Sequence, residues 1–348
     1  MRTVGKFLAG VCAILFVITG VLALLFFNIE RKVFSAETYK QAFENQQLYD
    51  RMPGILADAL ATAITQNDQA SIYLKSFAVQ DWESAISALI PPEELKALAD
   101  NTLDSTFDYL NGRTDSAVIS LLPFKSHLAG SGGVEAVLQL LHTQPVCTVD
   151  QIIEMTLALM GGGDLVFCNP PSEAVEVVRP FIESQLQLMV IGFPEEITLI
   201  STGQSGTPED PRLNLKIARA VMQTTPLFPM LFLLGLTIFA VRGLIDWLKW
   251  WGWPFLLTGL ISLFVAVPGA SLVGFIIQWL LEGQVGSFMP PLLLTTLRET
   301  ISAIAREILQ PVAIVGLALA ILGLIMILVA AFLAYTQKDR TIPRTQAR

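Results

Sequence analysis

Four long runs without a charged residue constrain this chain more than any other feature of its sequence. They span residues 7–29, 220–241, 250–281 and 308–337. The hydrocarbon core of a bilayer is about 30 Å thick, and roughly 20 helical residues cross it. Only 15% of the chain is charged, against about 25% in a typical soluble domain. We therefore predict an integral membrane protein with four transmembrane helices.

Two of these runs need a closer interpretation. Residues 7–29 follow a short basic start, but the run is too long for a cleaved signal peptide and lacks a small-x-small cleavage pattern. We interpret it as an uncleaved signal anchor. The run 250–281 would be about 48 Å long as a straight helix, and Pro268 lies inside it. We expect one crossing that is kinked near residue 268.

The distribution of charge predicts the orientation in the membrane. Residues 30–219 carry 12 Lys and Arg against 25 Asp and Glu, whereas the two ends and the turn between the second and third runs carry eight basic residues against two acidic ones. Basic residues collect on the cytoplasmic side of a membrane. We therefore expect both termini in the cytoplasm and residues 30–223 and 282–310 outside it. A bacterial plasma membrane is the expected location.

These considerations give a complete predicted order of segments. It consists of a cytoplasmic N-terminus (1–6), transmembrane helix 1 (7–29), an extracytoplasmic α-helical domain (30–200), a linker with a juxtamembrane helix (201–223), transmembrane helix 2 (224–245), a cytoplasmic turn (246–253), transmembrane helix 3 (254–281), an extracytoplasmic amphipathic segment (282–310), transmembrane helix 4 (311–335) and a cytoplasmic tail (336–348).

Two short extracytoplasmic segments leave alternatives open. Arg212, Lys216 and Arg219 lie on the juxtamembrane helix. We expect them to touch lipid headgroups, and pairing with the acidic domain is the alternative. Residues 282–310 carry an apolar stripe with balanced charge on the other faces. Helices that lie on a membrane surface are usually richer in Lys and Arg, so we favour packing against the outer domain over lying on the lipid.

The large outer segment is predicted to be entirely helical. Apolar residues recur at spacings of three and four from Met52 to Ile64, from Leu95 to Leu110 and from Val175 to Met189. Thr148 and Gln151 have the spacing of a capping box. No stretch shows a clear strand alternation. The expected fold class is an all-α integral membrane protein, with four transmembrane helices and a large all-helical extracytoplasmic domain between the first and second.

Two of the three cysteines are predicted to form a disulfide. Cys147 and Cys168 both fall in the outer domain, where an oxidising compartment favours their pairing. The predicted helix 148–160 is about 18 Å long, and the seven residues that follow it can stretch back about 23 Å. Cys168 can therefore return to Cys147. Two free buried thiols are the alternative, and Cys12 lies inside the first span.

The residues that usually carry chemistry form no recognisable pattern. His127 and His142 have no cysteine or carboxylate at metal-ligand spacing. The glycine-rich stretches 130–133 and 203–206 lack the G-x-S-x-G spacing of a nucleophile elbow, and we interpret both as turns. The acidic balance argues against nucleic acid as a partner. We therefore expect no catalytic residues, no metal ligands and no cofactor.

These observations favour a non-enzymatic protein of the cell envelope whose outer domain binds a partner or ligand, as a scaffold or sensor. The expected partners are the lipid bilayer and either another envelope protein or a second copy. The order of one span, a large outer domain and three further spans resembles the FtsX/MacB-type transmembrane subunits. That resemblance implies, as the alternative, a subunit of a transport or mechanotransmission assembly. A homo-oligomeric channel is a further variant, although the spans have no ionisable residue in their middle.

Overall fold

The computed structural model describes residues 2–67, 72–161, 168–201, 212–284 and 291–340. In chain order its elements are α1 (Arg2–Val33), α2 (Ala36–Asn45), α3 (Leu48–Gln66), α4 (Ile72–Lys75), α5 (Val79–Leu89), α6 (Pro92–Leu110), β1 (Ser116–Ser120), α7 (Leu122–Ala129), α8 (Ser131–His142), α9 (Val149–Gly161), α10 (Ser172–Ile191), β2 (Glu196–Ser201), α11 (Arg212–Thr224), α12 (Leu227–Ala240), α13 (Leu244–Gln284) and α14 (Pro291–Arg340).

The protein is 84% helical, far above the third that is usual for globular proteins. The chain divides into two compact units. We call residues 1–38, 209–276 and 301–348 the membrane unit, and residues 39–208 and 277–300 the helical domain. Each unit is described by itself below.

Among the described residues, four apolar helical segments are long enough to cross a bilayer, as predicted. They are Gly5–Val33, Arg212–Ala240, Leu244–Ile277 and Leu292–Gln337. Many of their large apolar side chains are exposed, for example Phe264 at 80% and Phe332 at 67%. Lipid is the surrounding that removes the cost of exposing such side chains to water. The structure therefore supports an integral membrane protein.

The second span is built from two helices. α12 has 14 residues, which gives it a length of only about 21 Å, so α11 is needed to complete the crossing. A Cβ placed on Gly235 of α12 would lie 3.4 Å from the sulfur of Cys12, and one on Gly5 would lie 3.5 Å from the carbonyl oxygen of Phe239. These neighbours show that α12 runs antiparallel to α1.

α13 and α14 pack closely because glycines face each other across the contact. A Cβ on Gly259 of α13 would collide with the backbone of Gly316 and Ala320 on α14. A Cβ on Gly323 would collide with the backbone of α13 near Gly252. In membranes, small residues let helix backbones approach closely enough for dispersion forces to hold them.

Two predicted segment boundaries differ from the structure. Residues 246–253, expected to form a turn, are helical and belong to α13, while the turn after α12 is confined to residues 241–243. The amphipathic part of 282–310 is continuous with the fourth span as α14, which has 50 residues. The uncharged runs predicted the apolar stretches correctly. The helices are longer than these runs, because backbone hydrogen bonding continues through the neighbouring polar residues.

The helical domain contains a two-stranded antiparallel sheet, which corrects the prediction that it is entirely helical. β1 pairs with β2, with Ile119 opposite Ile197 and Ala117 opposite Ile200, and a bulge lies between Ala117 and Val118. The strands are short and some 80 residues apart in the chain. In β2 polar and apolar residues alternate only from Glu196 to Leu199, and Ile200 breaks the pattern, so the period-two signal of a half-buried strand is too short to be clear.

The main core of the helical domain lies between α7, α8 and α10. Leu138, Val178, Ile182 and Leu186 are among its buried members, and the predicted stripe of α10 supplies three of them. Gly133 lies at the start of α8 against the carbonyl of Leu128, where a Cβ would collide. The stretch 130–133, predicted to be a turn, is therefore mostly the first turn of this helix.

Candidate functional site

β2 is an exposed edge strand of the helical domain. Among the described residues the sheet has only two strands, so each strand is an edge. The outer edge of β1 is covered by α6, because Ser105 Oγ accepts a hydrogen bond of 2.8 Å from the backbone N–H of Val118. Within the described part of the chain β2 has no such cover, since its first five residues are all exposed.

The chain leading into β2 is also apolar and exposed. α10 buries one face, with Val190 in its last turn, while Leu188, Met189 and Ile191 of the same turn are exposed, as is Phe193 between the helix and the strand. We call residues 188–200 the β2 surface. Its exposed apolar members and their exposed fractions are Leu188 (63%), Met189 (60%), Ile191 (73%), Phe193 (42%), Ile197 (42%), Leu199 (45%) and Ile200 (44%). Contiguous apolar exposure of this kind marks an interaction surface.

The part of the chain that carries the β2 surface is strongly acidic. Residues 39–208 contain 7 Lys and Arg against 21 Asp and Glu. Glu195 and Glu196 lie within the β2 surface itself and are exposed. Two copies of this segment therefore repel each other, and a neutral or basic partner is electrostatically favoured.

The structure contains the predicted disulfide between Cys147 and Cys168. Their Cα atoms are 4.9 Å apart, and both residues belong to the main core. Backbone hydrogen bonds accompany it, from Cys147 to the carbonyl of Asn169 and from Asn169 to the carbonyl of Pro145. In the chain-entropy account, closing a loop of this size contributes about 3 kcal/mol to the free energy of unfolding. The link ties the region before α9 to the start of α10.

Both histidines connect elements of the helical domain. His127 Nε2 lies 3.0 Å from the carbonyl oxygen of Ala88, which joins α7 to the end of α5. His142 Nδ1 lies 3.1 Å from Oδ1 of Asn169. Over the described residues, no three or more His, Cys, Asp or Glu side chains come together as a metal site would require.

The predicted capping box at the start of α9 is present. The backbone N–H of Thr148 donates to Gln151 Oε1 at 2.9 Å, and the N–H of Gln151 donates to Thr148 Oγ1 at 3.4 Å. Beyond it, Val149, Ile153 and Leu157 follow each other at spacings of four and are all more than half exposed. α9 therefore adds a second apolar stripe to the outside of the helical domain.

A charged cluster joins α2, α3 and α6. Lys96 Nζ lies 2.8 Å from Glu44 and 3.0 Å from Asp100. Hydrogen bonds to these two carboxylates raise the pKa of Lys96. Tyr49 donates to Asp100 Oδ1 at 3.4 Å, and burial, with help from the Asp100 charge, raises the pKa of Tyr49 to about 12.

The first part of α14 contacts α3 by an ion pair. Arg51 lies 2.7 Å from Glu299 and also donates to Thr296 Oγ1 at 3.3 Å. Thr296 and Thr300 are buried. Packing of this segment against the outer domain was the favoured prediction, and the contacts of residues 296–300 agree with it.

In the membrane unit, a buried carboxylate joins the first and second spans. Glu30, 4% exposed, accepts hydrogen bonds from Arg219 and Gln223 at 3.0 and 2.9 Å. The guanidinium of Arg219 also lies 4.7 Å above the ring of Phe34. Lipid headgroups were the expected neighbours of Arg219, and pairing with the acidic segment 30–200 was the alternative; the ion pair with Glu30 agrees with the alternative for this residue. No local sequence signal identifies this pair, because its members are 189 residues apart in the chain.

Comparisons with known proteins place the chain in no family. No protein-family model, no curated protein and no solved structure matches it.

Proposed function

We propose that this protein is a non-enzymatic membrane protein of the cell envelope whose helical domain lies outside the cytoplasm and binds another envelope protein through the β2 surface. Its role is that of a scaffold or sensor. The observation that carries the proposal is the exposure of β2, an edge strand whose first five residues, with the apolar Ile197, Leu199 and Ile200 among them, are all exposed.

An exposed edge strand is a binding feature in physical terms. Its outer row of N–H and C=O groups can pair with an added strand, and natural proteins usually cover such edges because they promote unwanted pairing. An extended segment of a partner that adds to the edge gains main-chain hydrogen bonds, and side-chain pockets give it specificity. The apolar members of the β2 surface, including Ile197 and Leu199, supply the buried area.

Charge favours a different protein over a second copy as the occupant. Two segments that each carry 7 basic and 21 acidic residues repel each other at the distances of a contact. Salt weakens this repulsion but does not reverse its sign. We therefore expect the partner to present a neutral or basic face to Glu195 and Glu196.

The polar contacts of the helical domain support binding rather than catalysis as its role. Both histidines and the Lys96 cluster hold helices together. Their hydrogen bonds connect neighbouring elements, which accounts for their positions without a reaction.

A pair of leucine substitutions tests the proposal. Leu199→Asp places a charge on the β2 surface, and Leu60→Asp places the same charge on α3, where the leucine is similarly exposed at 38%. Each tagged protein is purified gently from native membranes, and proteins that come with it are identified by mass spectrometry. We expect a stoichiometric envelope protein with the unmodified chain and with Leu60→Asp, and its loss with Leu199→Asp.

Other results would overturn the proposal. Equal recovery of the partner with both variants would show that the β2 surface is not the binding site. A molecular mass of the purified protein that equals two or more copies would indicate self-association. A co-purified soluble ATPase would favour the transport or mechanotransmission alternative. Circular dichroism of both variants shows whether the helical domain is still folded.

A further inference from the structure

A cavity lined mainly by polar and charged residues lies at the junction of α1 and α2 in the membrane unit. Its volume is about 320 Å³, which is within the size range of small-molecule sites. The residues that line it are Asn28, Arg31, Lys32, Ser35, Glu37, Thr38 and Pro311. The first candidate span ends at Val33, so these residues lie at the level where a membrane helix meets water and lipid headgroups.

The cavity has a surplus of positive charge. Arg31 and Lys32 face one carboxylate, that of Glu37. Glu30 is next to Arg31 in the chain, but its charge is neutralised by Arg219 at 2.9 Å. The guanidinium of Arg31 lies 5.6 Å from the centre of the Phe27 ring, and this cation–π contact restrains it. The net charge of the lining is therefore positive by one unit.

A buried hydroxyl in the lining lacks a hydrogen bond. Thr38 is 1% exposed, and its Oγ1 has no hydrogen-bond partner among the described residues. Burying a polar group without a partner costs about 1–3 kcal/mol, so such groups usually meet a ligand or water. Thr38 also belongs to the first turn of α2, where backbone N–H groups and the helix dipole favour an anion.

The position of Arg31 and Lys32 has a simpler explanation, but that explanation is incomplete. Both lie in the last turn of α1, where basic residues stabilise the negative end of the helix dipole. This accounts for their charge. It does not account for the buried, unpartnered hydroxyl of Thr38 beside them, which is the observation that points to a ligand.

We propose that this cavity binds a phosphate group, carried either by the headgroup of an anionic phospholipid or by free inorganic phosphate. Arg31 and Lys32 bind the phosphate oxygens through charge-assisted hydrogen bonds, which are the strongest in proteins. Thr38 Oγ1 donates a further hydrogen bond. Asn28 holds its amide in place by donating to the carbonyl of Leu24 at 2.7 Å, and it has a second N–H to offer.

Three variants of the full-length protein test the site. Arg31→Gln with Lys32→Gln removes both positive charges, and Thr38→Val removes the hydroxyl at almost constant volume. Lys216→Gln removes an exposed charge on α11 and is the matched control. Each protein is reconstituted into nanodiscs of phosphatidylcholine with a small fraction of phosphatidylglycerol, and retained lipids are counted by native mass spectrometry. In a second arm, inorganic phosphate is titrated and the unfolding temperature is followed.

We expect one retained phosphatidylglycerol that survives Lys216→Gln, and affinity reduced on the order of tenfold or more in the double variant. Thr38→Val should weaken binding without lowering the unfolding temperature of the lipid-free protein, since it removes a buried polar group that lacks a protein partner. Stabilisation by inorganic phosphate alone would assign the site to the free ion. Equal binding by all variants in both arms would overturn the proposal.

Discussion

At the residue scale, the helical domain depends on side chains that are polar and yet largely buried. Tyr49 shows the effect most clearly, because it is 7% exposed and lies beside Asp100. Burial disfavours the phenolate, and the neighbouring carboxylate disfavours it further. Both effects stabilise the protonated side chain, so the pKa of Tyr49 rises to about 12.

This pKa makes the stability of the helical domain sensitive to alkaline pH. A tyrosine titrates near pH 10 when unfolded, so the contribution of Tyr49 is fully present below about pH 10 and is lost as the pH rises through about 12. We predict that Tyr49→Phe abolishes this part of the alkaline loss. The measurement is the unfolding temperature of the purified protein over this pH range.

Tyr335→Phe serves as the control, because Tyr335 is 66% exposed on α14. It should leave the alkaline loss of stability as it is in the unmodified protein. If Tyr49→Phe and the unmodified protein lose stability in parallel between about pH 10 and 12, then Tyr49 does not have the raised pKa.

At the scale of elements, the membrane unit is held together where backbones touch. Gly259 and Gly323 lie where α13 and α14 are too close for a Cβ. Lipid is as apolar as the side chains, so the hydrophobic effect does not drive helices together in a membrane. Close packing has to supply the free energy of association instead. Gly10 of α1 differs, because a Cβ there would meet nothing within 4 Å.

We predict opposite outcomes for two alanine substitutions. Gly259→Ala forces α13 and α14 apart and should lower the free energy of unfolding by about 1–3 kcal/mol, the usual range for overpacking. Gly10→Ala should not lower stability, since alanine favours the helix. Thermal unfolding in a mild detergent compares the two. Equal stability of the two variants would show that the contact around Gly259 can widen at no cost.

The local sequence pattern predicted where helices occur better than it predicted which face of each helix is buried. In α3, the predicted stripe included Leu56 and Leu60, but both are 38% exposed, while Ala57 on another face is buried. Pro53 lies in the second turn of this helix. The apolar residues of α3 cover more than one face, so periodicity alone could not choose the face that meets Phe77 and Trp82.

At the scale of the whole molecule, the uncharged runs were sufficient to predict four membrane-length helices. The disulfide could also be predicted, because Cys147 and Cys168 are close in the chain. The pairing of β1 with β2 and of Glu30 with Arg219 could not, since each depends on segments far apart in sequence. Short strands and single ion pairs carry too little local signal to identify a distant partner.

The orientation in the membrane is a prediction of the charge distribution and can be tested directly. We expect a reporter fused after Arg348 to be active in the cytoplasm, because basic residues of the tail hold it there. The same reporter fused after Gly112, in the helical domain, should be exported. A cytoplasmic signal from both fusions, or from the second alone, would contradict the predicted orientation.

The pair of Glu30 and Arg219 also sets an order of events during synthesis. Its members are 189 residues apart, and chains grow at about 5–20 residues per second. α1 therefore waits about 10 to 40 s after its own synthesis for the residue that neutralises its buried carboxylate. Residues 39–208, the larger part of the helical domain, are made in that interval and so have time to fold before the first and second spans can be joined.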